Sequence, residues 1–484
     1  MLRLVLLLAC VACHAVNRPP NIVLILVDDL GYGDLGCFGA KDIRTPHLDR
    51  LAAQGTRFTD FYVAQAVCTA SRAALLTGCY PNRVGMQGAL NHTSRFGLNP
   101  SEWTLPKMLK DRGYATACFG KWHLGTVPEL SAPRQGFDEF FGLPYSNDNS
   151  RYHPTLAIEM PPLPLLDGEK VAELDPDQST FTARFTAKGL DFIERHKGRP
   201  FFLYLPHVMP HVPIFASTKY KGRSARGLYG DVVEELDDAI GAILTKLRDA
   251  GLEQDTLVLF FSDNGAWMSY GEHAGSNGPL REGKLTCFEG GVRSPLLVRW
   301  PGKVPAGRVS ETPFMSIDLL PTLVEAVGGK SPTLKIDGRS ALPLLRGTDE
   351  TPAHEALFFY AGEELHAVRA GRWKLHFDHP YLSNRGLPGR GGKPSGHGTY
   401  EPLPITDSSM DAIASRHGQK VSRQPQALFD LTTDSGETRD LSAQHPEIVR
   451  RLAALAEPVR ADLGDKLMGV AGAGRRPAGQ SPAK

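Results

Sequence analysis

Cysteine is scarce in this chain, with seven in 484 residues, and their spacing matches no zinc-binding template. Neither sign of charge is in excess: 54 Lys and Arg against 53 Asp and Glu leave +1. That balance removes the electrostatic argument for nucleic acid or an anionic membrane as partner. No run past the first few residues is apolar enough to cross a bilayer, and no internal repeat points to a solenoid. What the chain does hold is glycine and proline, 50 and 37 residues, as in a globular enzyme with many loops. Its length suits one large domain and a smaller one.

Met1-Leu2-Arg3 followed by the apolar residues 4–9 is too short to span a membrane and reads as a signal peptide, residues 1–15, cleaved after Ala15. Asn17-Arg18-Pro19-Pro20 breaks any strand continuing from it. The chain is therefore expected to be exported. Leu7-Leu8-Ala9-Cys10 is an imperfect lipobox, so lipid anchoring at Cys10 is the less favoured alternative. Loss of Cys10 and Cys13 with the leader leaves Cys37, Cys68, Cys79, Cys118 and Cys287, which permit disulfides without requiring any. Asn91-His92-Thr93 is a glycosylation sequon.

Further along, apolar strands alternate with helical periodicity. The unbroken run Asn-Ile-Val-Leu-Ile-Leu-Val at 21–27 suits a strand buried on both faces, and it ends in Asp28-Asp29. Residues 114–119, 201–205 and 256–261 read as further strands, while 46–54, 104–112, 182–196 and 229–250 read as helices. The expected architecture is α/β: a large, mostly parallel sheet sandwiched by helices over 16–350, then a smaller antiparallel sheet with one helix over 351–466. Residues 153–178 look like an irregular surface insertion, 378–424 like long loops, and 467–484 like a disordered tail. Glu234, Glu235, Asp237 and Asp238 read as the solvated face of the 229–250 helix.

Two strand ends share one chemistry. Asp28, Asp29, Asp263 and Asn264 offer only oxygen ligands, which suit a hard cation such as calcium, or magnesium, rather than zinc. An isolated Asp-Asp is more often a cap or turn, but two such pairs ending apolar strands favour a shared site. Arg72, Lys121, His123, His211 and Lys284 form a cationic or titratable set, most of it in Gly- or Pro-marked loops. Any one of these residues alone would be an ordinary surface charge or a structural histidine. Converging on a metal, they suit a tetrahedral oxyanion such as sulfate, and a helix beginning after Cys68 would add N–H groups.

The stretch Cys68-Thr69-Ala70-Ser71-Arg72, running on to Leu76-Thr77-Gly78, resembles the signature of type I sulfatases of the alkaline phosphatase superfamily. Matching runs at 21–36, 120–125, 136–142, 262–265 and 283–293 extend the resemblance over the first 300 residues; Ala70 stands where proline is commoner. The resemblance implies that Cys68 is oxidised by a formylglycine-generating maturation enzyme. It further implies that Asp28, Asp29, Asp263, Asn264 and the modified Cys68 hold calcium, and that Arg72 and Lys121 hold the formylglycine with His123 beside it. His211 and Lys284 would contact the sulfate and the leaving oxygen, and Ser146 matches a family substrate-binding serine. The implied mechanism is attack on sulfur by one hydroxyl of the hydrated aldehyde, assisted by Asp263. Protonation of the leaving oxygen by His211 or Lys284 follows, then His123-assisted release of sulfate from a covalent sulfo-enzyme. General acid–base help of this kind contributes about 10²–10⁴ in rate.

The expected activity is hydrolysis of sulfate esters, carbohydrate sulfates above all. A phosphoester or phosphonate hydrolase on the same scaffold is disfavoured because no extra histidines supply a second metal. A catalytically dead sulfated-glycan binder is disfavoured because the catalytic set is complete. Loops at 146–164, 267–277 and 378–409 are expected to shape the substrate pocket, with His273 as a candidate contact.

Overall fold

The computed structural model describes residues 18–330, 332–384 and 388–481. The expected signal peptide and the alternative anchor at Cys10 lie outside the described residues. Asn21–Val27 is the buried strand its apolar run predicts, in the middle of an 11-stranded sheet. Val23, Ile25 and Val27 enter one core, and Ile22, Leu24 and Leu26 enter the opposite one. A strand apolar on both faces needs cover on both. Pro46–Ala53, Phe181–His196 and Leu228–Asp249 cover one face; Cys68–Thr77, Leu105–Lys110 and Leu319–Ala326 cover the other.

Five central strands run parallel, in the order Thr256–Ser262, Asn21–Val27, Phe201–Pro206, Ala115–Lys121 and Glu139–Leu143. Their carboxyl ends open on the same edge, where sheets of this kind place ligands. The flanks are mixed, with Arg293–Arg299 antiparallel to both its neighbours. A second sheet of four antiparallel strands, Leu357–Ala361, Glu364–Ala370, Trp373–His376 and Ala427–Asp430, carries the helix Pro446–Leu463. Its Leu357, Phe359 and Leu365 share one core with Tyr62, Ala74, Val292 and Ile317 of the larger part, so the two sheets are joined by apolar packing.

Four expectations need correction. Residues 153–178 contain the hairpin Pro164–Asp167 and Lys170–Leu174, which extends the main sheet. The pattern was hidden because the outer strand is exposed along its length. The acids of Leu228–Asp249 are not all solvated. Asp237, Glu234 and Glu235 are buried, and Asp237 accepts the backbone N–H groups of His47 and Leu48 at 3.0 and 2.8 Å. Those are orphan donors in the first turn of Pro46–Ala53, capped from a helix 190 residues away. Within 378–424, His379–Ser383 pairs with Lys420–Gln424, and Met410–His417 is a helix capped by Ser409. The described part of the 467–484 tail is ordered: Gly479–Gln480 pairs with Phe96–Gly97, and Arg476 meets Glu102 at 2.7 Å. Backbone pairing and ion pairs hold a segment whose composition carries almost no apolar signal. The five cysteines of the described residues are all free thiols.

Candidate functional site

Each of the five parallel strands ends in, or leads at its carboxyl end to, a residue of the candidate site. Asn21–Val27 delivers Asp28 and Asp29, Thr256–Ser262 delivers Asp263 and Asn264, and Ala115–Lys121 ends in Lys121 with His123 following. Phe201–Pro206 leads to His211, and Glu139–Leu143 leads to Ser146. Cys68 is the first residue of the helix Cys68–Thr77, so Arg72, one turn later, lies on its face. Lys284 arrives from the loop before Glu289–Val292. Asp29 and His123 hold positive φ, 65° and 58°, a conformation non-glycine residues seldom adopt outside constrained sites. Gly265 is required beside Asn264, since a Cβ there would lie 1.7 Å from the Gly290 carbonyl oxygen.

The eleven residues form one buried cluster. Lys121 Nζ donates to Asp28 Oδ2 at 2.5 Å and to Ser146 Oγ at 3.1 Å. Lys284 Nζ reaches Asp29 at 2.8 Å. Arg72 lies between Asp263 (2.8 Å) and Asp28 (3.2 Å) and donates to the Lys121 carbonyl at 2.7 Å. It clamps the carboxylates rather than reaching for residue 68. The Cys68 Sγ is 3.5 Å from Asp28 Oδ1. His211 Nε2 sits 3.5 Å from Ser146 Oγ and 3.6 Å from Asp29 Oδ2. Three carboxylates therefore face three fixed cations.

Burial pushes the Cys68 thiol up to about 12, with the Asp28 charge adding to it. Burial also raises Asp28, but the Lys121 and Arg72 cations outweigh it and hold that carboxyl well below the usual range. Asp263 is pushed upward by burial and by the charge of Asp28. His123 is held neutral by burial and by Lys121. Its Nε2 lies 2.7 Å from the Leu90 carbonyl and must donate there, leaving the buried Nδ1 a lone pair without a partner.

Residues 20–329 match the family model described as Sulfatase, and 352–481 match the C-terminal region of aryl-sulfatase. The chain belongs to the sulfatase family. It is 41% identical over 458 residues to arylsulfatase A of Bos taurus, covering 90% of this chain and 86% of that protein. It is 40% identical over 398 residues to N-acetylgalactosamine-6-sulfatase of Canis lupus familiaris, covering 78% and 75%. Among solved structures, a sulfatase from Pseudoalteromonas sp. superposes with TM-score 0.77 at 26% identity, over 92% of this chain and 90% of that one. A Bacteroides thetaiotaomicron protein from the metabolism of multiple glycosaminoglycans superposes with TM-score 0.74 at 29% identity, over 92% and 99%.

The donors of this sulfatase fit a hard cation. Ligand atoms of Asp28, Asp29, Cys68 and His211 all lie within 4.8 Å of one another. Asn264 donates its amide N–H to Asp29 at 2.7 Å, and its Oδ1 is buried with no donor. An orphan carbonyl oxygen among carboxylates, one of which is pushed toward protonation, is the environment a divalent ion relieves.

A cavity of about 750 Å³ opens onto Cys68, His123, Ser146, His211 and Lys284. The loops at 146–164, 267–277 and 378–409 contribute Asp148, Trp267 and Thr406 to its wall. His273 does not reach the cavity; its half-buried ring lies against Gly392. The sequon residue Asn91 is on the wall and donates to the Ile405 carbonyl at 3.2 Å, so it is not a free surface amide. Sequence reasoning missed Arg416 and His417, which close the helix Met410–His417. The Ser409 cap and the Gly418 stop were the available signal.

Proposed function

We propose that the chain hydrolyses sulfate esters of carbohydrates at residue 68 in its formylglycine form, beside a calcium ion held by Asp28, Asp29, Asp263 and Asn264. The observation that carries this reading is the Cys68 thiol itself. Buried against Asp28 and pushed up to about 12, it is a poor nucleophile, because the thiolate is the reactive form. A cluster organised around an unreactive thiol supports conversion of that residue. Hydrated formylglycine supplies one hydroxyl to attack sulfur and a second to release the sulfate. Calcium, when bound, withdraws charge from the sulfate oxygens and favours the ionised hydroxyl.

The remaining work falls to side chains already in position. Lys121, Ser146 and His211 bind the sulfate oxygens around Cys68, and Arg72 keeps Asp28 and Asp263 in place. His123 Nδ1, neutral and unpartnered, takes a proton from residue 68. Lys284 is the proton source for the leaving oxygen. Burial would lower it, but the Asp29 and Asp28 carboxylates overcome that and keep it charged, whereas burial and Lys284 keep His211 neutral. Lys284→Ala should slow esters with poor leaving groups by about 10² and nitrophenyl sulfate far less; equal losses would remove Lys284 from this role.

The substrate class rests on the polar side chains among those lining the cavity and on relatives named for N-acetylgalactosamine 6-sulfate and glycosaminoglycan metabolism. The N-terminal residues support export, and no helix among the described residues is long and apolar enough to cross a membrane. The test is co-expression with a formylglycine-generating enzyme, mass spectrometry of the peptide holding residue 68, and desulfation of a panel of sulfated sugars. Activity should rise in proportion to aldehyde content. Full activity with an unmodified thiol would overturn the reading.

A further inference from the structure

Beyond the sulfate-binding cations, one wall of the cavity carries buried polar groups with nothing to bind. Arg416 is 4% exposed; its Nη1 donates to the Leu403 and Pro404 carbonyls at 3.3 and 2.6 Å, and its Nε is buried without an acceptor. Among the described residues it makes no ion pair with a carboxylate. His417 Nδ1 lies 2.8 Å from the Tyr270 hydroxyl, and its ring centre is 4.3 Å from that of Trp267, whose indole Nε1–H also lacks an acceptor. Behind them, His153 Nδ1 accepts the backbone N–H groups of Thr155 and Leu156 at 3.1 and 2.9 Å. Its Nε2 therefore carries the hydrogen, and it too is buried and unpartnered. Buried N–H groups are almost always satisfied, and a guanidinium withdrawn from water without a counter-charge is costly. Arg416 and Trp267, which line the cavity, thus give this wall two donors with unfilled capacity, and His153 backs them with a third.

We propose that this wall is the leaving-group subsite and that Arg416 reads a second anionic substituent, a carboxylate or another sulfate, on the sugar whose ester is cleaved. The assignment rests on the sulfate-ester reading above. Trp267 fixes the distance between the two subsites. Lys284 Nζ lies 3.9 Å from its ring centre, and His417 stacks against the same indole. The second subsite therefore begins one indole away from the Lys284 ammonium at the leaving oxygen, a span suited to neighbouring substituents of one or two sugar rings. The balance of donors argues for an anion. A neutral sugar hydroxyl offers a donor with every acceptor, whereas a carboxylate or sulfate offers acceptors alone. Here two residues of the wall, Arg416 and Trp267, carry unpartnered N–H groups, one of them cationic, against a single buried carboxylate on the same cavity, Asp148, which already accepts from the Asn149 amide at 2.9 Å. Asp148 is left to accept from a ring hydroxyl.

The test uses matured, calcium-loaded enzyme and three substrates: a monosulfated sugar, the same sugar with a second sulfate, and a sulfated disaccharide bearing a uronate. The two acidic substrates separate sulfate from carboxylate as the group recognised. Arg416→Gln should lower kcat/KM for the preferred acidic substrate at least about tenfold more than for the monosulfated one, chiefly through KM. Arg416→Lys should recover part of the difference. Equal losses on all three substrates would assign Arg416 to anchoring residues 403–404 and overturn the proposal. Inhibition of wild-type nitrophenyl sulfate turnover by a uronic acid and by its neutral parent sugar gives a check that needs no variant; equal inhibition by the two would overturn recognition of a carboxylate. Failure of the matured enzyme on nitrophenyl sulfate itself would refute the sulfate-ester reading, whereas normal turnover with no change in substrate ratio refutes only this inference.

Discussion

Two buried charge networks, one at the carboxyl ends of the parallel strands and one at the junction with the second sheet, both set acids against buried cations. At the strand ends, Asp28, Asp29 and Asp263 face Arg72, Lys121 and Lys284. At the junction with the second sheet, Glu289 and Glu437 enclose Lys374 at 2.8 and 3.0 Å. There the Tyr62 hydroxyl, the His376 ring and the Glu289 backbone N–H occupy the remaining carboxylate positions. Burial raises one acid in each network, Asp263 and Glu437, so neither a raised pKa nor buried charge separates them. What separates them is unfilled capacity beside a cavity: Asn264 Oδ1 and His123 Nδ1 have no partner, while both oxygens of Glu289 and of Glu437 do. The first network keeps acceptors that no other residue fills. The second is a structural joint.

The largest expected effect breaks the site and spares the joint. In matured enzyme, Asp29→Asn removes a proposed metal ligand and the counter-charge of Lys284, and kcat/KM should fall by about 10³–10⁴. The Tm should fall too, because Lys284 loses its buried counter-charge, but the fraction that stays folded should still show the loss in kcat/KM. Unfolding in step with inactivation would erase the distinction between the two networks.

The same contrast explains what could be read from sequence. Asp28-Asp29 and Asp263-Asn264 were legible because each closes an unbroken apolar strand, and the parallel order of those strands brings their ends together without further information. Ser146 was legible only through resemblance to a family, and Lys284 and His211 took definite roles only through it, since nothing in a Gly- or Pro-marked loop reveals which way it folds back. Asp237 capping a distant helix, Arg476 fastening the tail, and Arg416 with His417 in the cavity wall were illegible for a common reason. Asp237, Arg476 and His417 work through partners far away in sequence, and all four residues sit in segments whose local pattern says helix surface or loop. His273 was misplaced for the converse reason: a correct loop was read with the wrong residue facing inward.

A second test asks whether the thiol at the centre is as suppressed as its surroundings require. In metal-free, unmatured protein, a thiol pushed up to about 12 carries about 10³-fold less thiolate at pH 8 than an ordinary cysteine. Since raising the pKa depletes the reactive form on the acid side, alkylation of Cys68 should climb about tenfold per pH unit through pH 9–11 instead of levelling off near pH 9. Peptide mass spectrometry after timed iodoacetamide treatment reads the rate, with denatured chain as reference. Equal rates in folded and denatured protein would mean that the cluster does not bury residue 68.

The joint has its own test, in stability rather than turnover. Glu289→Gln leaves Lys374 with a single carboxylate and should cost about 3–5 kcal/mol, because breaking a buried pair strands a charge away from water. Urea unfolding of the metal-free proteins measures it. The surviving folded fraction should keep the parent kcat per formylglycine, since no atom of Glu289 lines the cavity. A loss of kcat with unchanged stability would move Glu289 into the site.

The smallest effect is the most discriminating, because it does not depend on turnover. If Asn264 Oδ1 and its neighbouring carboxylates hold calcium, the ion binds folded protein and not the unfolded chain. Calcium at a hundred times its Kd should then add about 2.7 kcal/mol of stability, seen as a concentration-dependent rise in Tm. Asn264→Ala removes the orphan acceptor and should weaken that rise, while Glu289→Gln should lower the baseline Tm and leave the calcium increment intact. The two variants thus move different quantities: one changes the response to the ion, the other the stability without it. An increment that survives Asn264→Ala in full would mean that the unpartnered carbonyl is not a ligand, and the orphan atom would lose its value as the mark that distinguishes a binding network from a structural one.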